Sequence, residues 1–243
     1  MAAGGTTTVR RGSYGIDAPY LLVVPIVLIV WNVVDGLLHW RILPFVVTTA
    51  LLASVACGLY TSRRGKFVVW ASLLDSLALR GDERILDLGC GRGAVLLMAA
   101  EHLTTGRAVG IDLWRAGDQS GNSAEAARQN AAAERVLERV SLHTGDIRSL
   151  PFKDYSFDVV LSNVAVHNVK KADRDTVIDE AIRVLRPGGR LMIADIFSVG
   201  QYRRRLAARG MINVRQRNLG WRMWWSGPWV STSVVAATRP PSL

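Results

Sequence analysis

Apolar and polar positions follow two different patterns along the chain. Residues 18–34 and 42–60 form two runs without a charged side chain. From residue 84 onward, short apolar segments such as "RILDL" and "FDVVLSN" alternate with helical stretches such as "AVLLMAAEHL" and "RDTVIDEAIRVL". Strands that alternate with helices predict a mostly parallel sheet covered on both faces, the doubly wound α/β class.

The two uncharged runs have the length of membrane-spanning helices. At 1.5 Å per residue, the second run reaches about 28 Å, close to the thickness of the hydrocarbon core. Between them lies "DGLLHWR", whose polar residues and tryptophan suit a turn at a membrane surface. The sequence therefore predicts a two-helix transmembrane hairpin, which either spans the bilayer or only enters it. A cleaved signal peptide and a pair of buried core helices are the alternatives.

Basic residues give the hairpin an orientation. Arg10 and Arg11 precede it, and "RRGK" follows it, whereas Arg41 alone lies in the turn. Since basic flanks stay on the cytoplasmic side, we expect a cell-membrane protein whose domain after the hairpin lies in the cytoplasm. The predicted divisions are an N-terminal tail (1–17), the membrane hairpin (18–60), a linker helix (61–80) and an α/β domain (81–243).

Composition narrows the classes of function. The chain has 243 residues, two cysteines and a formal net charge of +10. Two cysteines provide neither a disulfide framework nor a cysteine metal cluster, and no metal site is predicted. The basic charge suits nucleic acid or anionic lipid headgroups. Given the hairpin, we expect an anionic membrane surface rather than nucleic acid as the partner, and no obligate protein partner is evident.

A glycine loop carries the first sign of chemistry. In "DLGCGRG", Gly89, Gly91 and Gly93 follow a strand and open a helix, where a ligand can approach the backbone. Asp112 ends the next strand, where a carboxylate can accept hydrogen bonds from a ribose. The third glycine comes too early for the dinucleotide pattern, so the spacing favours a nucleoside with an amino-acid tail.

Several motifs in order resemble the class I S-adenosylmethionine-dependent methyltransferases. They are "ILDLGCGRG", "GID", "TGDIRSLPFKDYSFDVV" and "RVLRPGGRL", and the resemblance runs from about residue 81 to residue 240. The stretch "GDIRSLPFKDYSFDVVLSN" is similar to the branch that includes ubiquinone and menaquinone methyltransferases. The resemblance implies S-adenosyl-L-methionine as cofactor and a Rossmann-like fold with a seven-stranded sheet.

The resemblance also implies roles for individual residues. Asp87 and the three loop glycines would hold the methionine portion, and Asp112 would hold the ribose. Asp146 would accept from the adenine amino group, with Ile147 beside the ring. Asn163 would face the methyl-bearing sulfur. Trp114 would either flank the adenine or pack against the protein.

The acceptor side offers fewer markers. His167 follows the fourth strand at the carboxyl edge of the sheet and is our candidate general base; a surface or capping histidine is the alternative. Asp195, which ends the fifth strand, is the second candidate. The residues after that strand are too few for a lid, so we expect cover from the hairpin and its link. The tryptophans Trp221, Trp224, Trp225 and Trp229 would line an apolar pocket, form an interfacial belt or pack in the core.

The sequence thus predicts a membrane-anchored methyltransferase that acts on a lipophilic small molecule, such as a quinone precursor, a lipid or a hydrophobic metabolite. The alternatives are a methyltransferase for a soluble small molecule or nucleic acid with the hairpin as a simple anchor, and a non-catalytic cofactor-binding membrane protein.

Overall fold

The computed structural model describes residues 10–17, 19 and 23–242. Residues 1–9 of the predicted tail, and residues 18 and 20–22 at the start of the predicted hairpin, lie outside this part. The helices are α1 (Val23–His39), α2 (Leu43–Tyr60), α3 (Lys66–Asp75), α4 (Ala94–Glu101), α5 (Ala124–Ala133), α6 (Arg174–Val184) and α7 (Val199–Ala208). The strands are β1 (Arg84–Leu88), β2 (Arg107–Asp112), β3 (Val140–Thr144), β4 (Phe157–Asn163), β5 (Leu185–Asp195), β6 (Ile212–Asn218) and β7 (Ser233–Thr238).

The strands form one sheet of seven in the order β3-β2-β1-β4-β5-β7-β6. The first five are parallel, and β7 runs antiparallel between β5 and β6. The predicted mostly parallel, Rossmann-like sheet is therefore confirmed. The order reverses direction next to β1, so β1 and β4 flank the switch point where such sheets bind their ligands.

Helices cover the sheet on both faces. One apolar layer includes Trp70 of α3, Val95 of α4 and Ala131 of α5. The other includes Ile178 of α6 and Tyr202 of α7. Because both faces are covered, the central strands carry nearly continuous apolar runs rather than an alternating pattern.

The second apolar run extends into the domain without a loop. α2, a π-helical turn at Thr61–Gly65 and α3 form a continuous helix, which spans Leu43–Asp75. Trp70 on α3 is fully buried against the sheet. The residues predicted as a linker helix thus begin with the π-helical turn and continue as α3, a core helix of the α/β domain.

The α1–α2 hairpin has the opposite environment. Its two helices pack on each other, with Gly36 against the ring of Phe45. Most of its large apolar side chains are exposed; Val27 is 60% and Trp31 70% accessible. The helices are therefore not the buried core pair that was one alternative. By length and composition, one described helix could cross a membrane, Leu43–Asp75, while α1 has 17 residues, so the predicted pair of spanning helices is not established.

A segment rich in tryptophan, residues 219–232 between β6 and β7, docks on the continuous helix; we call it the tryptophan loop. The hydroxyl of Thr61 and the thiol of Cys57 both donate to the Trp224 carbonyl. A Cβ added at Gly65 would lie against the Arg222 carbonyl oxygen, so only glycine permits this approach. Tyr60 stacks on Trp221 with ring centroids 5.3 Å apart.

Residues 10–17, which the sequence assigned to a tail, lie across α4 and α5 as a strap. The Arg10 guanidinium pairs with Glu101, and the Tyr14 hydroxyl donates to Glu134 over 2.9 Å. The strap ends at Asp17, which accepts from Lys66 over 2.7 Å. It therefore connects the outer helices of the domain to the start of α3.

Candidate active site

The candidate residues converge on the carboxyl edge of the five parallel strands. Asp87 lies near the end of β1, and Asp112, Asn163 and Asp195 end β2, β4 and β5. Since β2, β1, β4 and β5 are adjacent in the sheet, this edge brings together side chains from distant parts of the chain.

The glycine loop wraps around the carboxylate of Asp112. Gly91 N–H donates to Asp112 Oδ2 over 2.9 Å, and Trp114 N–H donates to Oδ1 over 2.6 Å. Gly89 has φ +69°, and a Cβ there would lie 2.3 Å from the Cβ of Ala165. Any larger residue at position 89 would be strained and would close the space between the loop and the segment after β4.

Asp87 is a buried carboxyl with an unsatisfied oxygen. It is 2% exposed, and among the described residues its Oδ1 has no hydrogen-bond partner. Burial, followed by the neighbouring charge of Asp112, raises the pKa of Asp87 to about 8. A buried acceptor of this kind is stabilised by a cationic hydrogen-bond donor placed against it.

The residues predicted around the adenine have different partners. The Asp146 carboxylate accepts from the guanidinium and the backbone N–H of Arg148, and this guanidinium lowers the pKa of Asp146. Ile147 is 8% exposed and packs in the apolar layer that includes Ile178 of α6. Trp114 Nε1 donates to Thr144 Oγ1 over 2.8 Å, which fixes the indole across the ends of β2 and β3.

Asn163 is held from the side of α3. Its Oδ1 accepts from the Trp70 indole N–H over 2.8 Å. The bond orients the amide at the end of β4 and ties α3 directly to this edge of the sheet.

His167 and Asp195, predicted separately, form one pair. His167 Nδ1 lies 2.7 Å from Asp195 Oδ1, and His167 N–H donates to Oδ2 over 2.9 Å. The Asp195 side chain is fully buried, while that of His167 remains 18% exposed. Because the carboxylate can only accept here, it favours a proton on Nδ1 and leaves Nε2 free to accept one.

Two further side chains hold this pair in place. The buried Tyr202 hydroxyl donates to Asp195 Oδ2 over 3.2 Å, and burial raises the Tyr202 pKa so that the hydroxyl keeps its proton. Arg174 donates to the His167 carbonyl and, through Nε, to the Val169 carbonyl over 2.9 Å. The segment after β4 is therefore anchored at both ends.

Comparisons with known proteins give the family of the α/β domain. The family described as "Methyltransferase domain" matches residues 85–189, from the first strand to the start of the fifth. The ubiquinone/menaquinone biosynthesis C-methyltransferase UbiE of a Ruegeria species is 34% identical over 128 residues, which cover 52% of this chain and 48% of that protein.

Residues 85–189 form a methyltransferase domain of the S-adenosylmethionine-dependent type.

Other relatives of this methyltransferase domain differ in their acceptors. The 27-O-demethylrifamycin SV methyltransferase of Amycolatopsis mediterranei is 37% identical over 129 residues, or 52% of this chain and 43% of that protein. The chain thus spans about half the length of the curated relatives it matches. A solved geranyl diphosphate C-methyltransferase from Streptomyces coelicolor shares the fold, with a TM-score of 0.56, 19% identity, and coverage of 70% of this chain and 78% of that one.

The described residues fit the cofactor of the methyltransferase domain. The unsatisfied Oδ1 of Asp87 suits the cationic amino group of the methionine portion, and the narrow loop at Gly89 leaves room where a Cβ would intrude. Asp112, at intermediate burial, still has lone pairs for ribose hydroxyls. Among the described residues, no group of three or more acidic, histidine or cysteine side chains is placed to hold a metal ion.

Sequence reasoning missed several residues at this edge of the methyltransferase domain. Gln119 accepts from the Arg92 backbone N–H over 2.8 Å, and its own amide donates to Asp17 over 2.7 Å. Neither contact has a local sequence signal, because the partners lie far apart in the chain. Of the predicted link residues, Lys66 is buried and paired with Asp17, Tyr60 stacks on Trp221, and Arg64 lies beside a separate cavity.

Proposed function

We propose that the protein is a membrane-anchored methyltransferase that moves a methyl group from S-adenosylmethionine to a lipophilic small molecule. The single observation that carries the proposal is the continuous helix Leu43–Asp75, which joins an exposed apolar hairpin to the catalytic edge through Trp70 and Asn163. An anchor joined by a flexible linker would leave the catalytic edge free to turn away from the membrane. Here the apolar surface is fixed beside it.

Exposure and loop placement support the lipophilic acceptor. The outward side chains of α1 and α2 offer a large apolar surface, which in soluble proteins marks a binding surface or a membrane contact. The tryptophan loop rests at the base of this surface, with Trp229 73% exposed. Tryptophan is enriched at the membrane interface, so we place the loop at headgroup level. Small-molecule acceptors in the names of the relatives agree with this class of substrate.

In the proposed mechanism, the chain's own residues bind the cofactor, orient His167 and accept a proton from the methyl acceptor. When bound, S-adenosylmethionine supplies an electrophilic methyl group on a sulfonium. Asp195 and Tyr202 hold His167 so that Nε2 accepts the proton that the acceptor atom loses as its new bond to carbon forms. The buried surroundings of Asp195 keep the pair ordered before the acceptor arrives.

We assign cofactor binding to Asp87, the glycine loop, Asp112, Asp146, Ile147, Asn163 and Trp114. Replacing Asp112 with alanine would remove the ribose contacts and should weaken S-adenosylmethionine binding by about 1 to 3 kcal/mol. Calorimetric titration measures this change. Asp75→Ala, an exposed acid on α3, is the matched control and should bind normally. Equal affinities for the two variants would refute the assignment.

The experiment that tests the proposal is methyl transfer in a membrane. The full chain, reconstituted in liposomes, is incubated with methyl-labelled S-adenosylmethionine and either the lipid extract or the aqueous extract of host cells. We expect a labelled product in the organic phase, identified by mass. Label found only with the aqueous extract would overturn the lipophilic acceptor, and no label with either extract would overturn the enzymatic function.

A further inference from the structure

A second cavity, of about 550 Å³, lies between the strap and the π-helical turn. Its charged lining is entirely basic, and hydroxyl groups complete the polar wall. The arginines are Arg10, Arg63, Arg64 and Arg92, and the hydroxyl residues are Ser13, Tyr14, Ser62 and Ser120. No carboxylate belongs to the described lining of this cavity.

This cavity is separate from the cofactor site. Neither Asp87 nor Asp112 lines it, and His167 is also absent from its walls. Arg92 belongs to the glycine loop, and its guanidinium donates to the Ser120 carbonyl over 2.9 Å. Among the described lining residues, Arg92 is thus the one that the cavity shares with the glycine loop.

Most of the positive charge here is not compensated by protein. Arg63 and Arg64 are exposed and form no ion pair with any described residue. The Nε of Arg92 is buried, with no hydrogen-bond partner among the described residues. Only Arg10 has acidic partners, Glu101 and, more distantly, Glu134. Three guanidinium groups around one cavity suit a doubly charged, oxygen-rich anion such as a phosphate ester.

The position of the cavity indicates where such a phosphate would come from. Arg63 and Arg64 lie in the π-helical turn that follows α2, whose large exposed apolar side chains lie in its first half, up to Leu52. A lipid whose chains lie along α2 would bring its headgroup to the level of the π-helical turn. Phe67, beneath Tyr14, supplies an apolar wall that suits the glycerol portion.

We propose that this cavity binds the phosphate group of an anionic membrane phospholipid. The inference rests on the membrane half of the proposed function and adds a second ligand site, distinct from the acceptor site. Bound phosphate would bridge the strap, the π-helical turn and Arg92. The headgroup would thereby hold the domain at a fixed position on the membrane surface.

The test measures headgroup binding without methyl transfer. Full-length protein in a non-ionic detergent is titrated with dioctanoyl phosphatidic acid, and separately with glycerol 3-phosphate, by calorimetry. The variant Arg63→Gln/Arg64→Gln removes two cavity charges. The control Arg203→Gln/Arg204→Gln removes two exposed charges on α7, far along the chain from the cavity.

We expect the cavity variant to bind phosphatidic acid at least tenfold more weakly, and the control variant within twofold of wild type. Tighter binding of the lipid than of glycerol 3-phosphate identifies a membrane source, and equal binding identifies a soluble phosphate ester and overturns the lipid. An equal loss in both variants, or no binding by wild type, overturns the site itself.

The result for headgroup binding does not depend on the identity of the methyl acceptor. Flotation of the Arg63→Gln/Arg64→Gln variant with phosphatidylcholine vesicles reports the hairpin without these two cavity charges. If this variant floats but wild type does not bind phosphatidic acid, the headgroup site fails and membrane association stands. If phosphatidic acid binds but no labelled lipophilic product forms, the acceptor assignment fails and the headgroup site stands.

Discussion

The sheet and the hairpin are built from similar apolar residues but bury them to opposite extents. Phe157 and Val160 on β4 are fully buried between two helical layers, whereas Val27 and Trp31 on α1 are mostly exposed. The central strands of the sheet meet apolar partners on both faces, while α1 and α2 have mainly each other. Apolar residues therefore become buried only where the rest of the chain supplies a complementary surface. Where it does not, as on α1 and α2, they remain exposed and are available to a partner outside the chain.

If the sheet carries catalysis and the hairpin carries anchoring, a change in one should leave the other unaffected. His167→Ala should have the largest effect of this kind. Loss of a general base should lower kcat by about 10²- to 10⁴-fold, while cofactor affinity and vesicle flotation stay at wild-type levels. Rates with labelled cofactor in liposomes measure this change. His102→Ala, at the end of α4, is the control, and full activity of His167→Ala would remove the base from the mechanism.

The second variant tests membrane insertion of the hairpin and leaves the sheet intact. Leu52 is half exposed near the middle of α2, so in the proposed membrane arrangement Leu52→Arg would place a charge in the hydrocarbon. We expect a loss of membrane partition of about 2.5 to 3.5 kcal/mol, roughly 100-fold, with little change in S-adenosylmethionine affinity. Vesicle flotation measures it, with Leu52→Ala as the control. Unchanged partition of the arginine variant would indicate that α2 lies outside the bilayer.

The third prediction concerns the buried acid of the sheet. Because the pKa of Asp87 is raised to about 8, the carboxyl is largely neutral at pH 6 in the cofactor-free protein. A cationic ligand favours its ionised form, so binding below pH 8 must release a proton. Cofactor affinity should therefore rise by up to about tenfold per pH unit from pH 6 to 8.

Calorimetry in buffers of different ionisation enthalpy measures this proton release. Asp87→Asn should bind more weakly at pH 8 and should lose the dependence assigned to this residue. The same raised pKa means that ionisation of Asp87 disfavours the folded, cofactor-free state. The stability of wild type relative to Asp87→Asn should therefore fall as pH rises from about 4 to 8. An identical pH dependence in both proteins would contradict the assignment.

The smallest expected effect is at the junction of the two regions. A Cβ at Gly65 would lie against the Arg222 carbonyl oxygen, so Gly65→Ala must displace the tryptophan loop. We expect a loss of about 1 to 3 kcal/mol in the free energy of unfolding, typical of overpacking. A Cβ at Gly200 on α7 would meet Arg204 Nη1 at an ordinary contact distance of 3.8 Å, so Gly200→Ala should be neutral or stabilising. Thermal unfolding of both variants decides whether the loop and the helix are packed as described.

Local patterns account for the parts of the site that the sequence predicts. Asp112 and Asp195 end apolar strands, so the topology alone brings them to one edge. β5 begins at Leu185, earlier than the apolar run "RLMIAD", because Leu185 pairs with Phe157 before the register shifts. Such an extension depends on a neighbouring strand and cannot be read from its own residues.

Long-range contacts account for what the sequence does not reveal. Asp17 meets Gln119 and Lys66 only after the sheet and α3 have formed, and Trp70 meets Asn163 across 93 positions. No periodicity or spacing marks these partners. These contacts fix the strap and α3 to the site. The attachment of the N-terminal region to this edge of the sheet therefore becomes visible only in the folded structure.

Because α2 continues into α3 without a break, the depth of α2 in a membrane would fix the distance of the sheet from that membrane. At 1.5 Å per residue, Trp70 stands about 15 Å beyond Tyr60 along the helix axis. In the proposed membrane arrangement, the tilt and insertion of one rigid rod then set the height of the His167–Asp195 pair above the hydrocarbon. Bilayers that differ in thickness alter tilt and insertion. Turnover of a membrane-dissolved acceptor should therefore vary with acyl-chain length, whereas turnover of a water-soluble one should not.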